Sequence, residues 1–366
     1  MHAILKSFSG ALLITTAALA QTQAPAPPIP TDPTALITAL AARHQLHSAT
    51  TKPWHLRATV TIPAKPEVPA QPGVPARAAV PPRQAIVEEL FVSPHKNKLT
   101  VSMPGFTQSR FTTDKGEFTV GDPGSIPYIV AFAYLQIVDP APSAADIAES
   151  RPTRSTQPFG TVKLDCVALT HEFRAARNRN VTSASSLGLF PTYCMQQDTL
   201  YLRVSASFVS GTVTFDKIGE FLGNDIPIAL TLSDQGGKLA DVNVTALQAL
   251  TTIDDAIFTP PPIATEAHFA PVKIAPNVAA SNLLQKIPPV YPPTARAAHL
   301  EGDVHLHVII GTDGAIRTLR VIDAPNADFA ISAVAAVRRW TYKPYLLNGR
   351  PTEAETTITV VFDYAH

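Results

Sequence analysis

The chain has 366 residues, of which 45% are apolar and only 16% charged. Lysine plus arginine equals aspartate plus glutamate at 29 each, so there is no cationic surplus to displace phosphate counterions, which argues against a nucleic-acid binder. Beyond the N-terminus no run approaches the roughly 20 apolar residues of a membrane span, and 35 prolines punctuate a chain long enough for two or three domains.

Residues 1–20 read as a secretory signal. Lys6 closes a short basic region, residues 7–20 are an apolar stretch, and Ala18-Leu19-Ala20 is a small-x-small cleavage site before Gln21. Cleavage yields a soluble exported protein; an uncleaved leader yields a single-pass anchor. Residues 21–33 are a Pro/Ala linker. The spacing of Leu36, Ile37, Leu40, Ala41 and Leu46 predicts a helix over 34–47, with Thr31, Asp32 and Pro33 as start signals.

From Trp54 the pattern turns to alternation. Strands are predicted over 54–62, 84–92, 98–103, 105–112, 116–120, 160–169, 200–209, 211–218, 226–234 and 238–247, with helices over 128–138 and 144–150. Together, 34–262 read as one antiparallel β-rich domain. Its interruption at 63–82 places Pro63, Pro66, Pro69, Pro72 and Pro75 three residues apart, the repeat of polyproline II. That segment is expected to project from a hairpin tip, either as a tolerated insertion or as a ligand for an aromatic groove. Cys166 and Cys194 are an even pair in an exported chain and are expected to form a disulfide, contributing on the order of 3 kcal/mol. Residues 263–282, with Pro271 and Pro276, read as a second linker.

The final segment, 283–366, has the order α-β-β-α-β. A helix starts at Pro292-Pro293, and Val304, Leu306, Val308 and Ile310 share one face of a strand. Thr312-Asp313-Gly314 makes a hairpin turn, 315–323 return as a second strand, and 327–339 form a helix. Residues 356–362 close a three-stranded antiparallel sheet with helices on one face, so the whole chain is α+β.

This segment resembles the TonB C-terminal domain. The resemblance is carried by Tyr291-Pro292, Ala295-Arg296, Glu301-Gly302-Asp303-Val304, Asp313-Gly314, Ala333 to Trp340, Tyr342-Lys343-Pro344, Gly349-Arg350-Pro351 and Val360-Val361-Phe362. It implies a periplasmic domain that binds the TonB-box-like peptide of an outer-membrane receptor alongside its last strand. By that likeness Thr356, Thr357, Ile358, Thr359, Val360, Val361 and Phe362 form the receiving strand, and Tyr291, Pro292, Gly302, Asp313, Gly314, Trp340 and Pro344 form the family framework. A sheet edge with unpaired backbone groups makes this mode reasonable; the bland alternative is a covered or self-paired edge. Energy-transducing members are anchored in the inner membrane and driven by ExbB/ExbD-type motor proteins. Here the short leader and the large β domain depart from that pattern. The middle region, closed by Ile253-Asp254-Asp255-Ala256-Ile257-Phe258, is similar in pattern to LolA-like half-barrels, which implies either a lipid ligand on a concave face or a filled spacer.

No catalytic motif emerges, and no cofactor or metal is expected. His171-Glu172 lacks the second histidine of a zincin helix, because Ala175 stands there. His305 and His307 share a strand face and His44 and His47 a helix face, but neither pair has a third ligand in view. Asp254-Asp255 reads as a helix cap or turn. The chain is read as a binding protein.

Overall fold

The computed structural model describes residues 28–67, 69, 78–170, 190–207, 211–234 and 236–364. The expected leader, Pro72, Pro75 and the His171-Glu172 pair lie outside the described residues.

Alternation drives the large sheet. In β1 (Trp54–Ile62), Trp54, Leu56, Ala58, Val60 and Ile62 are buried and the residues between them are not. There follow β2 (Arg83–Ser93), β3 (Lys96–Met103), β4 (Phe106–Thr113), β5 (Gly116–Gly121), β6 (Arg151–Phe159), β7 (Val162–Thr170), β8 (Thr192–Gln196), β9 (Leu202–Ser207), β10 (Gly211–Phe221), β11 (Asn224–Asp234), β12 (Gly237–Ala249) and β13 (Thr265–Ala267). All thirteen join one sheet in the order β13-β5-β4-β3-β2-β1-β12-β11-β10-β9-β8-β7-β6. Neighbouring strands within it run antiparallel.

Three helices bury their apolar sides against this sheet. In α1 (Pro33–Ala42) the Asp32 carboxylate accepts the Ala35 N–H at 2.8 Å, an N-cap. α2 (Tyr128–Val138) lies over β1, β2, β11 and β12, and α3 (Ala144–Glu149) begins with a Ser143/Asp146 capping box. α1 stops short of the predicted His47. There the Arg43 carbonyl accepts the Asp225 N–H and the Leu46 N–H donates to the Val138 carbonyl, so tertiary bonds replace helical ones.

Three strands of the sheet, β6, β8 and β13, were invisible to alternation. β6 is one edge of the sheet and is mostly exposed, so nothing selects an apolar face, and an edge tolerates Pro152 and Pro158. β8 is short and sits beside β7, where Cys166 stands directly opposite Cys194 and the two form a disulfide.

The second unit comprises β14 (Val272–Lys273), α4 (Pro276–Ser281), β15 (Leu283–Gln285), α5 (Pro293–Ala297), β16 (Gly302–Ile310), β17 (Ile316–Asp323), α6 (Ala327–Val337), β18 (Thr341–Tyr342), β19 (Leu346–Leu347), β20 (Arg350–Pro351) and β21 (Ala354–Phe362). Its core packs Val304, Leu306, Val308, Ile358, Val360 and Phe362 against Phe329, Ala330, Ala333 and Val334 of α6, and it also takes in Phe190 from the large unit's stretch of chain. The expected three-stranded sheet is four-stranded, in the order β14-β21-β16-β17, because β14 adds in parallel to β21.

That addition corrects the reading of 263–282 as a free linker. Its first part pairs with β5 as β13, its middle pairs with β21 as β14, and α4 tucks Ala279 into the small core. Proline content signalled a linker; the backbone between the prolines still carries N–H and C=O groups, and two sheet edges were available to satisfy them.

Candidate functional site

β21 pairs along its whole length with β16, from Gly302 opposite Phe362 to Ile310 opposite Ala354. Its even-numbered side chains enter the core; Glu355, Thr357, Thr359 and Val361 stand on the other face, with Val361 62% exposed. On the far edge, the Glu353 carbonyl accepts the Val272 N–H at 2.8 Å and the Glu355 carbonyl accepts the Ile274 N–H at 2.9 Å. Strand geometry repeats every two residues, so the backbone groups of Thr357, Thr359 and Val361 point to that same outer edge. Among the described residues no hydrogen bond reaches them there. The edge is thus hydrogen-bonded at 353–355 and without a backbone partner over 357–361 among the described residues, with α4 packed against the same strand.

His305 and His307 lie beside this strand without converging on a point. The His305 ring meets the Thr359 hydroxyl at 3.0 Å and the His307 ring meets the Glu355 carboxylate at 2.8 Å, each a separate cross-strand pair. The remaining residues singled out in the sequence form a frame. The Tyr291 hydroxyl donates to the Leu300 carbonyl, and its ring meets Phe329 and Phe362 edge-on at 5.6 and 5.8 Å. Pro292 caps α5. Gly302 has no room for a side chain, since a Cβ would stand 2.4 Å from the Pro325 ring. The Asp313 carboxylate accepts the Ala315 N–H in the turn completed by Gly314. Trp340 is buried and its indole N–H donates to the Ile287 carbonyl at 2.8 Å, while Pro344 is exposed.

The family model for the Gram-negative bacterial TonB protein C-terminal matches residues 287–364. The C-terminal unit is a TonB-family domain. No curated protein matches the sequence. A solved LolA superfamily protein from Nitrosomonas europaea superposes with a TM-score of 0.34 at 12% identity, covering 61% of this chain and 97% of that one. A DUF1329 family protein from Desulfovibrio piger superposes at 0.37 and 10% identity, covering 63% and 98%.

Two sites away from β21 had no sequence signal. In the first, the His47 ring lies 2.7 Å from the Asp139 carboxylate and 3.2 Å from that of Glu89, which also accepts the Tyr134 hydroxyl. Burial alone lowers the His47 pKa, but the hydrogen bonds to Asp139 and Glu89 override it and raise it to about 10. His44, three residues away, is fully buried, and burial lowers its pKa against the pull of Asp225 and the Leu200 backbone. The two histidines therefore do not act as a pair.

The second is a cavity of about 390 Å³ where the two units meet, walled by Leu99, Val101, Phe132, Phe269 and Ile309 and reached by Arg110. The Arg110 side chain donates to the Gln108 side-chain carbonyl at 2.8 Å and lies 4.8 Å from the Phe269 ring centre. Burial lowers its pKa, against the pull of Glu353 and Glu117. Beside the cavity, the Ser125 hydroxyl bonds Thr312 at 3.0 Å and Glu353 at 3.2 Å across the units. Among the described residues no helix is long and apolar enough to cross a membrane.

Proposed function

We propose that this is a periplasmic binding protein whose TonB-type domain docks extended, TonB-box-like peptides of outer-membrane receptors by strand addition to β21, without catalysis. One observation carries this reading: the backbone groups of Thr357, Thr359 and Val361 that point away from β16 have no partner among the described residues. A partner strand satisfies them and extends the sheet, while its alternate side chains meet the face bearing Val361, Thr359 and His305. The test is binding of a synthetic set of N-terminal segments of outer-membrane receptors to the full chain and to Thr359→Pro. Proline there deletes one outward N–H and leaves the ladder to β16 intact. At least one peptide is expected to bind the native chain, and Thr359→Pro is expected to weaken it about tenfold or more with thermal unfolding little changed. Equal binding by both chains rejects strand addition at this edge.

The inter-unit cavity supports a second reading, a lipid ligand. Apolar walls with two guanidinium groups, Arg317 paired to Asp313 and Arg110 without an ion pair among the described residues, suit a chain bearing an anionic head. Mass spectrometry of lipid extracted from the purified native chain and from Arg110→Leu checks it, with loss of an anionic lipid in the variant as the expected outcome.

A further inference from the structure

We propose that residues 271–275 are a built-in competitor for the docking edge, so that a partner strand gains the full length of β21 only by peeling β14 away. The inference rests on the strand-docking reading above and concerns how that site is regulated.

Three observations carry it. First, β14 occupies the groups a longer partner would use, the Glu353 and Glu355 carbonyls. Second, it is built to be weak. It pairs over only two residues, Val272 with Ala354 and Lys273 with Glu355, and in parallel, the less stable arrangement per residue. Pro276 stands where the next N–H toward β21 after Ile274 would be, so the pairing cannot lengthen downstream. The Lys273 side chain is 86% exposed and its nitrogen is 4.0 Å from Glu355, so it adds little, and the apolar hold of the segment comes from Ile274, partly buried against the small core. Third, both ends of the segment are anchored independently of β14. Upstream, β13 pairs with β5 and the Phe269 N–H donates to the Glu117 carboxylate at 2.6 Å; downstream, Ala279 of α4 is 2% exposed in the small core and the Asn282 carbonyl accepts the Lys343 N–H. The middle can therefore lift while the ends stay in place, with Pro271 and Pro276 at the bends.

A partner strand free of proline that runs past Thr357 toward Glu353 makes more bonds than β14 does and displaces it. Phe269 and Pro271 line the inter-unit cavity, so the same displacement loosens one wall of that cavity.

The experiment is amide hydrogen exchange on the full chain, with and without the tightest-binding peptide of the receptor-derived set. The expected result is protection gained at Thr357, Thr359 and Val361 together with protection lost at Val272 and Ile274. Gain at the first three with Val272 and Ile274 still protected leaves docking standing and overturns the competitor. No change along β21 with any peptide rejects docking itself and this inference with it. Ile274→Pro supplies the second measurement. It deletes the bond from the Ile274 N–H to the Glu355 carbonyl and is expected to tighten the same peptide roughly tenfold; unchanged or weaker binding overturns the proposal.

Discussion

The imidazole of His47 lies between the carboxylates of Asp139 and Glu89, with the rings of Trp54 and Phe91 packed beside it at 5.8 and 5.2 Å. Glu89 is 2% exposed, so the pair is a buried one whose halves depend on each other. The raised pKa fixes the sign of a pH effect. Below pH 6.5 folded and unfolded chains both carry the proton and the attraction counts in full; above it the unfolded chain loses the proton first, and the contribution is gone once the pH passes about 10. Urea midpoints are expected to fall across that window. His47→Gln is expected to flatten the fall and to lower stability at the acid end by about 3 kcal/mol, because Glu89 is left buried without its cation. None of this was legible in the sequence, where His44 and His47 looked like a pair three apart on a helix. Gly314 is the opposite case. A turn at Asp313-Gly314 was readable, and the structure gives Gly314 a φ of 78° with a Cβ position 1.9 Å from the Tyr342 carbonyl oxygen. Gly314→Ala meets both a disfavoured backbone region and a backbone clash. It is expected to destabilise the small unit by about 2 kcal/mol or more, read from the Trp340 fluorescence transition.

At the level of elements, legibility followed burial. Strands with one buried face, such as β1, β16 and β21, announced themselves through alternation, and α6 did so through Phe329, Ala330, Ala333, Val334 and Val337. β6 and β14 did not, because edges have no buried face to encode: one is largely exposed and the other is two residues between prolines. The candidate site divides the same way, since β21 was readable as a strand and the segment lying on its first residues was not. The β7–β8 pair makes a prediction of its own. Cys166 and Cys194 are buried with Leu164 and Val204 in a small cluster at the far side of the sheet from β1, and their bond closes a loop with a sequence separation of 28. Cys166→Ser with Cys194→Ser is expected to lower the unfolding free energy by on the order of 3 kcal/mol. Chemical denaturation followed by circular dichroism checks this, and an unchanged midpoint rules out a stabilising role for the bond.

On the scale of the molecule, two cores share one chain, and most of what crosses between them is thin. The Arg320 guanidinium reaches Asp146 at 3.7 Å and Glu149 at 3.6 Å, distances and exposures at which each pair is worth about 1 kcal/mol or less. Phe190 is the exception: it belongs to the stretch leading into β8, yet it is 2% exposed among the side chains of the small core. It therefore acts as a plug from one unit into the other. The chain's two tryptophans separate the cores, Trp54 in the large one and Trp340 in the small one, so Trp54→Phe and Trp340→Phe leave one reporter each. Phe190→Ala is expected to cost the small unit about 3 kcal/mol. In urea its Trp340 transition should move to a lower midpoint, while the Trp54 transition stays within error. Movement of both would mean that the units unfold as one, and the weak polar contacts between them would then have to be stronger than their geometry allows. Movement of neither would remove Phe190 from the small core and leave the segment from β13 to α4 as the tie between a TonB-type domain and the sheet it is built onto.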